Sequence, residues 1–346
     1  MLRNKTNLNT IIYLPFMTQQ ELYQKVTDRI LDIMAQGRIP WNRPWTGVAE
    51  DGAISYVTRQ PYSFLNQILV GEPGEYLTLA QVNKLGGRVK KGAKSRIIVF
   101  YKNRLVTDKD EDSGEETLRT VPYLEYFHVF NINQTEGIPT KIKEKPAPAT
   151  AQPQALAEEI IEKYLQSADH PAFQNDQPSN RAFYNLTKDL VVVPMLAQYS
   201  EKKSGEYYST AFHELVHSTG KDSRLNRTYG YGKSDPKYAY EELVAEIGAA
   251  MLCNRAGTET PSTFKNSAAY LQSWMQVFRE DPKIFVQAAS KGEKAAMYIL
   301  GEYKPMTEEE ALEHAKKERE QRRERAATRR KTFRKGGKKR SRAHLS

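Results

Sequence analysis

The chain has 346 residues, of which 39% are hydrophobic and 27% are charged, so it can build one large or two smaller hydrophobic cores. No stretch approaches the roughly 18 to 20 consecutive apolar residues that a membrane-spanning helix needs, which argues against a membrane protein. The single cysteine, Cys253, cannot form an internal disulfide. This argues against a secreted disulfide-rich scaffold and predicts a reducing, cytoplasmic location.

The net charge of +10 is concentrated near the end of the chain. Residues 315–346 hold 15 Lys and Arg against three Glu, so the rest of the chain is slightly negative. We assign residues 306–346 to a basic tail, which would attract nucleic acid without sequence preference. A solvated, partly helical solubility tail is the alternative. Residues 1–16 are expected to be a flexible leader, or to precede a translation start at Met17.

Helical and extended patterns alternate through the first half of the chain. A capping box at Thr18 and Glu21, followed by an apolar stripe that stops at Gly37, predicts a first helix. The proline-broken segment 39–45 cannot continue it. Shorter helices are predicted near 62–70 and 78–85. Two β-rich runs, at 96–101 and 123–132, are predicted to form a hairpin around the acidic loop 108–116.

A proline-rich segment separates this half from the second. Four prolines between residues 138 and 154 mark a semi-rigid linker, so we expect one domain at 17–137 and another at 155–305. The second domain is predicted to be mainly helical, with a helix at 155–166 and a short β-branched strand at 190–193.

His213-Glu214-Leu215-Val216-His217 is an H-E-x-x-H motif. Histidines four residues apart share one face of a helix and can bind one ion, and Glu214 beside them could take a proton from water. Ser209 or Thr210 is expected to cap this helix and Gly220 to end it. The alternative is two histidines without an ion, since short motifs also occur by chance. In zinc peptidases an edge strand near the metal commonly binds an extended peptide, and the strand at 190–193 is the candidate.

A catalytic zinc site usually has a third protein ligand, and the acidic segment 240–250 supplies candidates. Glu242 and Glu246 lie one helical turn apart, so we predict Glu242 as the ligand and Glu246 as the partner of a histidine N–H, with Glu246 as the alternative ligand. Glu241 is predicted to point away from both. Cys253 is expected to be a small buried residue and not a ligand. The expected cofactor is one divalent ion, Zn²⁺, although Mn²⁺ or Co²⁺ accept the same ligands.

Both halves of the chain resemble the ArdC-type antirestriction proteins of plasmids and other mobile elements. The matching segments are 37–45 (GRIPWNRPW), 62–67 (YSFLNQ), 76–81 (YLTLAQ), 89–92 (VKKG), 129–134 (VFNINQ), 208–210 leading into HELVH, 224–227 (RLNR) and 240–250 (YEELVAEIGAA). The resemblance implies an α+β fold class, in which a small α+β domain that binds single-stranded DNA precedes a mainly helical zincin-like metallopeptidase domain. It also implies protection of incoming DNA from host restriction. It names no peptide substrate, so a host protein or a restriction enzyme is left open as a partner.

Binding of single-stranded DNA needs aromatic faces for the bases and cations for the phosphates. In the first domain we assign these roles to Trp41, Arg43, Trp45, Tyr62, Lys90, Lys91, Lys94 and Arg96. Core packing is the alternative for each aromatic ring, and for Phe100 and Phe130 it is the favoured one. Two rival functions remain open: a DNA-binding protein whose metal is purely structural, and an accessory protein of replication or of a primase.

Overall fold

The computed structural model describes residues 17–42, 52–109, 116–142, 153–200, 204–230, 235–258 and 268–307, with most positions between 309 and 324. The expected leader, most of the expected linker, the last 22 residues of the basic tail, and Arg43 and Trp45 lie outside them.

The first half forms helices around a four-stranded sheet. Helix α1 (Gln19–Ala35) begins at Thr18, whose side chain and Glu21 make both hydrogen bonds of the predicted capping box. The other elements are β1 (Ala53–Ser55), α2 (Phe64–Val70), β2 (Gly74–Thr78), α3 (Leu79–Lys84), β3 (Arg88–Val89), β4 (Arg96–Lys109), β5 (Glu116–Asn131) and β6 (Thr135–Glu136). The sheet order is β1-β2-β5-β4, and the pairing of β4 with β5 confirms the predicted hairpin.

The second half is mainly helical, with helices α4 (Pro153–Leu165), α5 (Ser204–Ser218), α6 (Pro236–Ala256), α7 (Ala268–Glu280) and α8 (Lys283–Ile299). The short strands β7 (Ala172–Gln174), β8 (Phe183–Asn185) and β9 (Leu190–Val192) form a sheet in the order β7-β9-β8. The predicted strand is therefore present, but its use as a peptide-binding edge is wrong, because β9 is central and both of its edges are paired.

Helix α5 begins earlier than predicted. Ser209 and Thr210 lie inside the helix and do not cap it. Two aromatic residues before them, Tyr207 and Tyr208, are buried against the core, so tertiary packing extends the helix by a full turn beyond the expected cap. The alternation of helices and strands otherwise confirms the α+β fold class. None of the helices in the described part of the chain is long and apolar enough to cross a membrane.

One hydrophobic core joins the two halves. Apolar residues of α1, α2, β4 and β5 cluster with residues of α6, α7 and α8. Hydrogen bonds cross the same boundary: the Thr27 hydroxyl donates to the Pro282 carbonyl at 2.7 Å, and the Phe64 amide donates to Glu293 at 2.9 Å. The first half therefore packs directly against α6, α7 and α8.

Two glycines allow α5, α6 and α8 to approach closely. A Cβ atom at Gly248 of α6 would lie 2.8 Å from a methyl group of Val216 on α5. A Cβ atom at Gly292 of α8 would lie 2.9 Å from the carbonyl oxygen of Val244. Cβ atoms do not approach other heavy atoms this closely, so Gly248 lets the motif helix α5 contact the acidic helix α6 directly, and Gly292 lets α8 contact α6 in the same way.

Candidate metal centre

Helix α5 presents the H-E-x-x-H motif from within the core. Phe212, Leu215 and Val216 are completely buried and anchor one side of the helix. His213 and His217 project together from the other side, with ring centroids 4.7 Å apart and planes at 80°. The rigid packing of α5 therefore fixes the positions of both imidazoles.

Helix α6 brings the predicted third ligand to these histidines. Asp235 caps the helix and Pro236 occupies its first turn, and Glu242 follows on the side that faces α5. One Glu242 oxygen lies 3.5 Å from Nε2 of His213, and the other lies 3.6 Å from Nε2 of His217. The two Nε2 atoms are 3.1 Å apart. Three ligands about 2.1 Å from a tetrahedral ion would be about 3.4 Å apart. One donor atom from each of the three side chains lies within 4.8 Å of the other two, so this triangle of donors is compact enough to hold one divalent metal.

The electrostatics of the triangle favour a cation. Three electron-pair donors converge there, and they repel one another unless positive charge lies between them. Burial lowers the pKa of His217, but hydrogen bonds to Glu241 and Glu242 outweigh burial and raise this pKa to about 10. The pKa of His213 is also raised, because Glu242 and Glu246 outweigh the effect of burial. A metal ion would supply the charge that protons otherwise provide, so its binding would release protons.

The two remaining predicted carboxylates also lie at the site. Glu214 is buried, with 8% of its surface exposed, and its charge contributes to the raised pKa of both histidines. An oxygen of Glu246 lies 3.4 Å from Nδ1 of His213, within reach of the ring but without hydrogen-bond geometry. Cys253 is fully buried, as expected of a small core residue.

Glu241, which was predicted only to point away from Glu242 and Glu246, also lies at the site. This residue is buried, and one of its oxygens makes a hydrogen bond of 3.3 Å with Nδ1 of His217. It also forms an ion pair with Arg227, in which Nη2 and the carboxylate are 2.6 Å apart. A helical wheel of α6 alone could not find this contact, because Arg227 comes from the loop between α5 and α6.

The structure also contradicts one assignment among the predicted DNA-binding residues. The side chain of Trp41 is completely buried in the shared core, where its ring packs on Phe285 at a centroid distance of 5.8 Å. Its apolar area is removed from water by both halves of the chain, so its face cannot stack on a base. Tyr62 is half-buried and packs on Tyr76 at 5.9 Å.

The predicted basic residues of the first half are at the surface. Lys90, Lys91, Lys94 and Arg96 are all exposed. They occupy the turn after β3 and the start of β4, and the ammonium group of Lys90 donates a 2.8 Å hydrogen bond to the Asn133 carbonyl. This short segment therefore concentrates positive charge at one end of the sheet.

Two exposed aromatic side chains on the sheet were not among the predicted binding residues. Phe100 of β4 and Phe127 of β5 are each 39% exposed, and their rings pack edge to face at 5.7 Å. Phe127 lies opposite Ile98 in the β4–β5 pairing, and residues that lie opposite each other share a face of the sheet. Because every second residue of a strand points to the same face, Arg96, Ile98 and Phe100 share that face with Phe127. The assignment of Phe100 to the core is therefore wrong.

Profiles of two protein families match the two halves of the chain. The profile described as the N-terminal domain of the anti-restriction factor ArdC matches residues 20–130. The profile described as a zincin-like metallopeptidase matches residues 161–291, which include the whole triangle of donor atoms.

A solved structure decides the family. The metal-free crystal structure of the antirestriction protein ArdC from plasmid R388 is 32% identical and has a TM-score of 0.59. The similarity covers 81% of this chain and 97% of that one. The chain belongs to the ArdC family of antirestriction proteins. A Mn(II)-bound structure of the R388 protein matches at 29% identity with the same TM-score and coverage. The zincin-like domain and this manganese-bound relative together support a divalent metal.

Curated relatives place the ArdC-like region in larger proteins as well. Two proteins named DNA primase TraC from Escherichia coli are 28% and 27% identical over 82% and 86% of this chain. The chain spans only 20% and 29% of their lengths. An uncharacterized protein, y4eC of Sinorhizobium fredii, is 25% identical, and 92% of its length is covered.

Proposed function

We propose that this ArdC family member protects incoming DNA from host restriction, using a first half that binds single-stranded DNA and a second half that holds a divalent metal at a peptidase-like site. The observation that carries the proposal is the triangle formed by His213, His217 and Glu242 in a chain that matches an antirestriction protein along nearly all of that protein's length.

At the metal site each side chain has a distinct role in the proposal. His213, His217 and Glu242 would hold the ion, which when bound supplies Lewis-acid activation of water. Glu214 lies beside the histidines and is the candidate general base: its carboxylate would accept a proton from the attacking water and return it to the leaving amine. Glu246 faces His213 and would hold the Nδ1 side of its ring. A purely structural metal would have no need of Glu214.

For DNA, the proposal combines the two surface features of the first half. The exposed rings of Phe100 and Phe127 would stack on bases, and Arg96 with the lysines of the preceding turn would contact phosphates. The aromatic side chains have no sequence preference, because every base presents a flat face. This suits a protein that must act on incoming DNA of any sequence.

The test is transfer of unmodified DNA into a restricting bacterial host that makes the protein. The variants are Glu214→Gln and the double variant Phe100→Ala/Phe127→Ala. Glu159→Gln, at an exposed position on α4, is the matched control. We expect the control to protect fully, and both sets of site variants to lose protection while keeping normal expression, with metal content also retained in Glu214→Gln.

Each half of the proposal can fail separately. Full protection by Glu214→Gln would mean that the metal is structural and that DNA binding alone carries the function. Full protection by the aromatic double variant would reject the assigned DNA surface. Loss of protection with unchanged metal content in Glu214→Gln would instead justify a search for a cleaved host protein.

The similarity to the TraC primases favours a second candidate function, that of an accessory to replication. In that case the first half would hold a single-stranded template for an enzyme that makes primers. Purified protein should then bind and shield single strands, and should stimulate primer synthesis with no restriction enzyme present. Binding of single strands with no stimulation of primer synthesis would exclude this candidate.

A further inference from the structure

Glu241 occupies a position that the ligand set of the metal centre does not explain. It directly precedes Glu242 on α6, yet its side chain turns to the opposite ring nitrogen of His217, where the Nδ1 to Oε1 distance is 3.3 Å. Only 4% of the side chain is exposed. Burial of a carboxylate is costly unless the charge is paired and hydrogen-bonded, so this arrangement needs a stabilising partner.

Arg227 is that partner. Its Nη2 and Nε atoms donate to the two Glu241 oxygens at 2.6 and 3.0 Å. The same guanidinium donates to the Val216 carbonyl at 2.8 Å and to the Thr219 hydroxyl at 2.7 Å, both at the end of α5. Arg227 therefore ties Glu241 to the helix that carries His217.

We infer that Glu241, held by Arg227, is a positioning residue that fixes the ring orientation and tautomer of His217 at the metal centre. By accepting a hydrogen bond from Nδ1–H, Glu241 leaves the Nε2 lone pair directed at Glu242 and His213, where the proposed ion would lie. This inference rests on the proposed metal site. A simple ion pair between a loop and a helix would explain Arg227 and Glu241, but it would not require His217 as the third member.

The two histidines differ in this respect. His217 makes a hydrogen bond with Glu241, whereas Nδ1 of His213 is 3.4 Å from Glu246 without hydrogen-bond geometry. A carboxylate behind a ligating histidine raises its basicity and holds its orientation. We therefore expect the loss of Glu241 to weaken metal binding more than the loss of Glu246.

The experiment measures the affinity of the full chain for Zn²⁺ by competition with a chromophoric chelator, alongside the thermal stability of each metal-free variant. The variants are Glu241→Gln, Glu246→Gln and the double variant Glu241→Leu/Arg227→Met. Replacing both members of a buried ion pair with apolar residues of similar size is often neutral or stabilising, so the double variant separates folding from metal binding.

We expect the affinity to fall by about 10- to 100-fold in both Glu241 variants, the usual effect of removing an outer partner of a ligand. The metal-free double variant should unfold near the wild-type temperature. A folded double variant that binds Zn²⁺ within about threefold of wild type would overturn the inference. Wild type that binds no metal, or Glu242→Ala that binds as wild type does, would instead reject the metal site itself.

A second readout needs no variant. The chain has six histidines, so selective ¹⁵N labelling gives a simple spectrum of the zinc-loaded protein. We expect His217 to carry its proton on Nδ1, with slow exchange and a resonance downfield of that of His213. A proton on Nε2, or exchange with water as fast as in an exposed histidine, would contradict the role assigned to Glu241.

Discussion

Truncation of Trp41 tests whether the two halves of the chain share one core. The ring is completely buried and packs on Phe285 of α8, so Trp41→Ala removes a large apolar side chain from between the two halves. Substitutions of this kind cost about 3–5 kcal/mol, a large part of the roughly 5–15 kcal/mol that stabilises a typical domain. Phe100→Ala is the matched control, since the loss of an aromatic side chain that is 39% exposed should lower the free energy of unfolding by about 1 kcal/mol or less.

Urea denaturation followed by far-UV circular dichroism measures both effects. We expect wild type to unfold in one transition. Trp41→Ala should shift this whole transition and lower the free energy of unfolding. Two separate transitions, with only the first shifted, would refute the shared core. A loss below about 1 kcal/mol would show that Trp41 is not buried as the structure places it.

Three further predictions follow from individual side chains. Phe100→Ala should weaken binding of single-stranded DNA by about 1–3 kcal/mol, which is a loss of affinity of roughly 5- to 150-fold when measured by fluorescence anisotropy. An unchanged affinity would reject the stacking role of Phe100. Excess Zn²⁺ at about 100 times its Kd should raise the free energy of unfolding by about 2.7 kcal/mol in wild type but not in Glu242→Ala, and equal shifts in calorimetry would reject this ligand. Burial raises the pKa of Asp189, but hydrogen bonds from Arg224, Lys221 and Tyr184 outweigh it and lower the pKa to about 2. Because the pKa of Asp189 is lower in the folded state, Asp189→Asn should reduce the free energy of unfolding by about 2 kcal/mol above pH 4, and this reduction should shrink as the pH falls toward 2. A reduction that does not change with pH would contradict the ion pairing.

Local signals in the sequence were sufficient for several elements. The capping box at Thr18 and Glu21 defined the start of α1, because a helix terminus is stabilised by side chains next to it in the chain. The four-residue spacing of His213 and His217 placed both rings on one face for the same local reason. The spacing of Glu242 and Glu246 on a second helix indicated two of the carboxylates that lie near the histidines, but it did not indicate Glu241.

Contacts between distant segments could not be read in this way. Trp41 lies on a proline-broken segment that looked available for binding, but its environment is created by α8, more than 240 residues later. Glu241 was predicted only to point away from Glu242 and Glu246, and its contact with Arg227 was missed because Arg227 belongs to a loop whose path has no sequence signature. Strands β1, β7 and β8 have three residues each, too few for a periodic pattern to be visible.

The proposed function depends most on the binding of one divalent metal by His213, His217 and Glu242. Anomalous diffraction from crystals of the full chain grown with Zn²⁺, and separately with Mn²⁺, would locate this ion. We expect one anomalous peak per chain, about 2.0–2.2 Å from Nε2 of both histidines and from a Glu242 oxygen. A bound ion located elsewhere, or a metal-containing crystal with no peak between these three side chains, would contradict it.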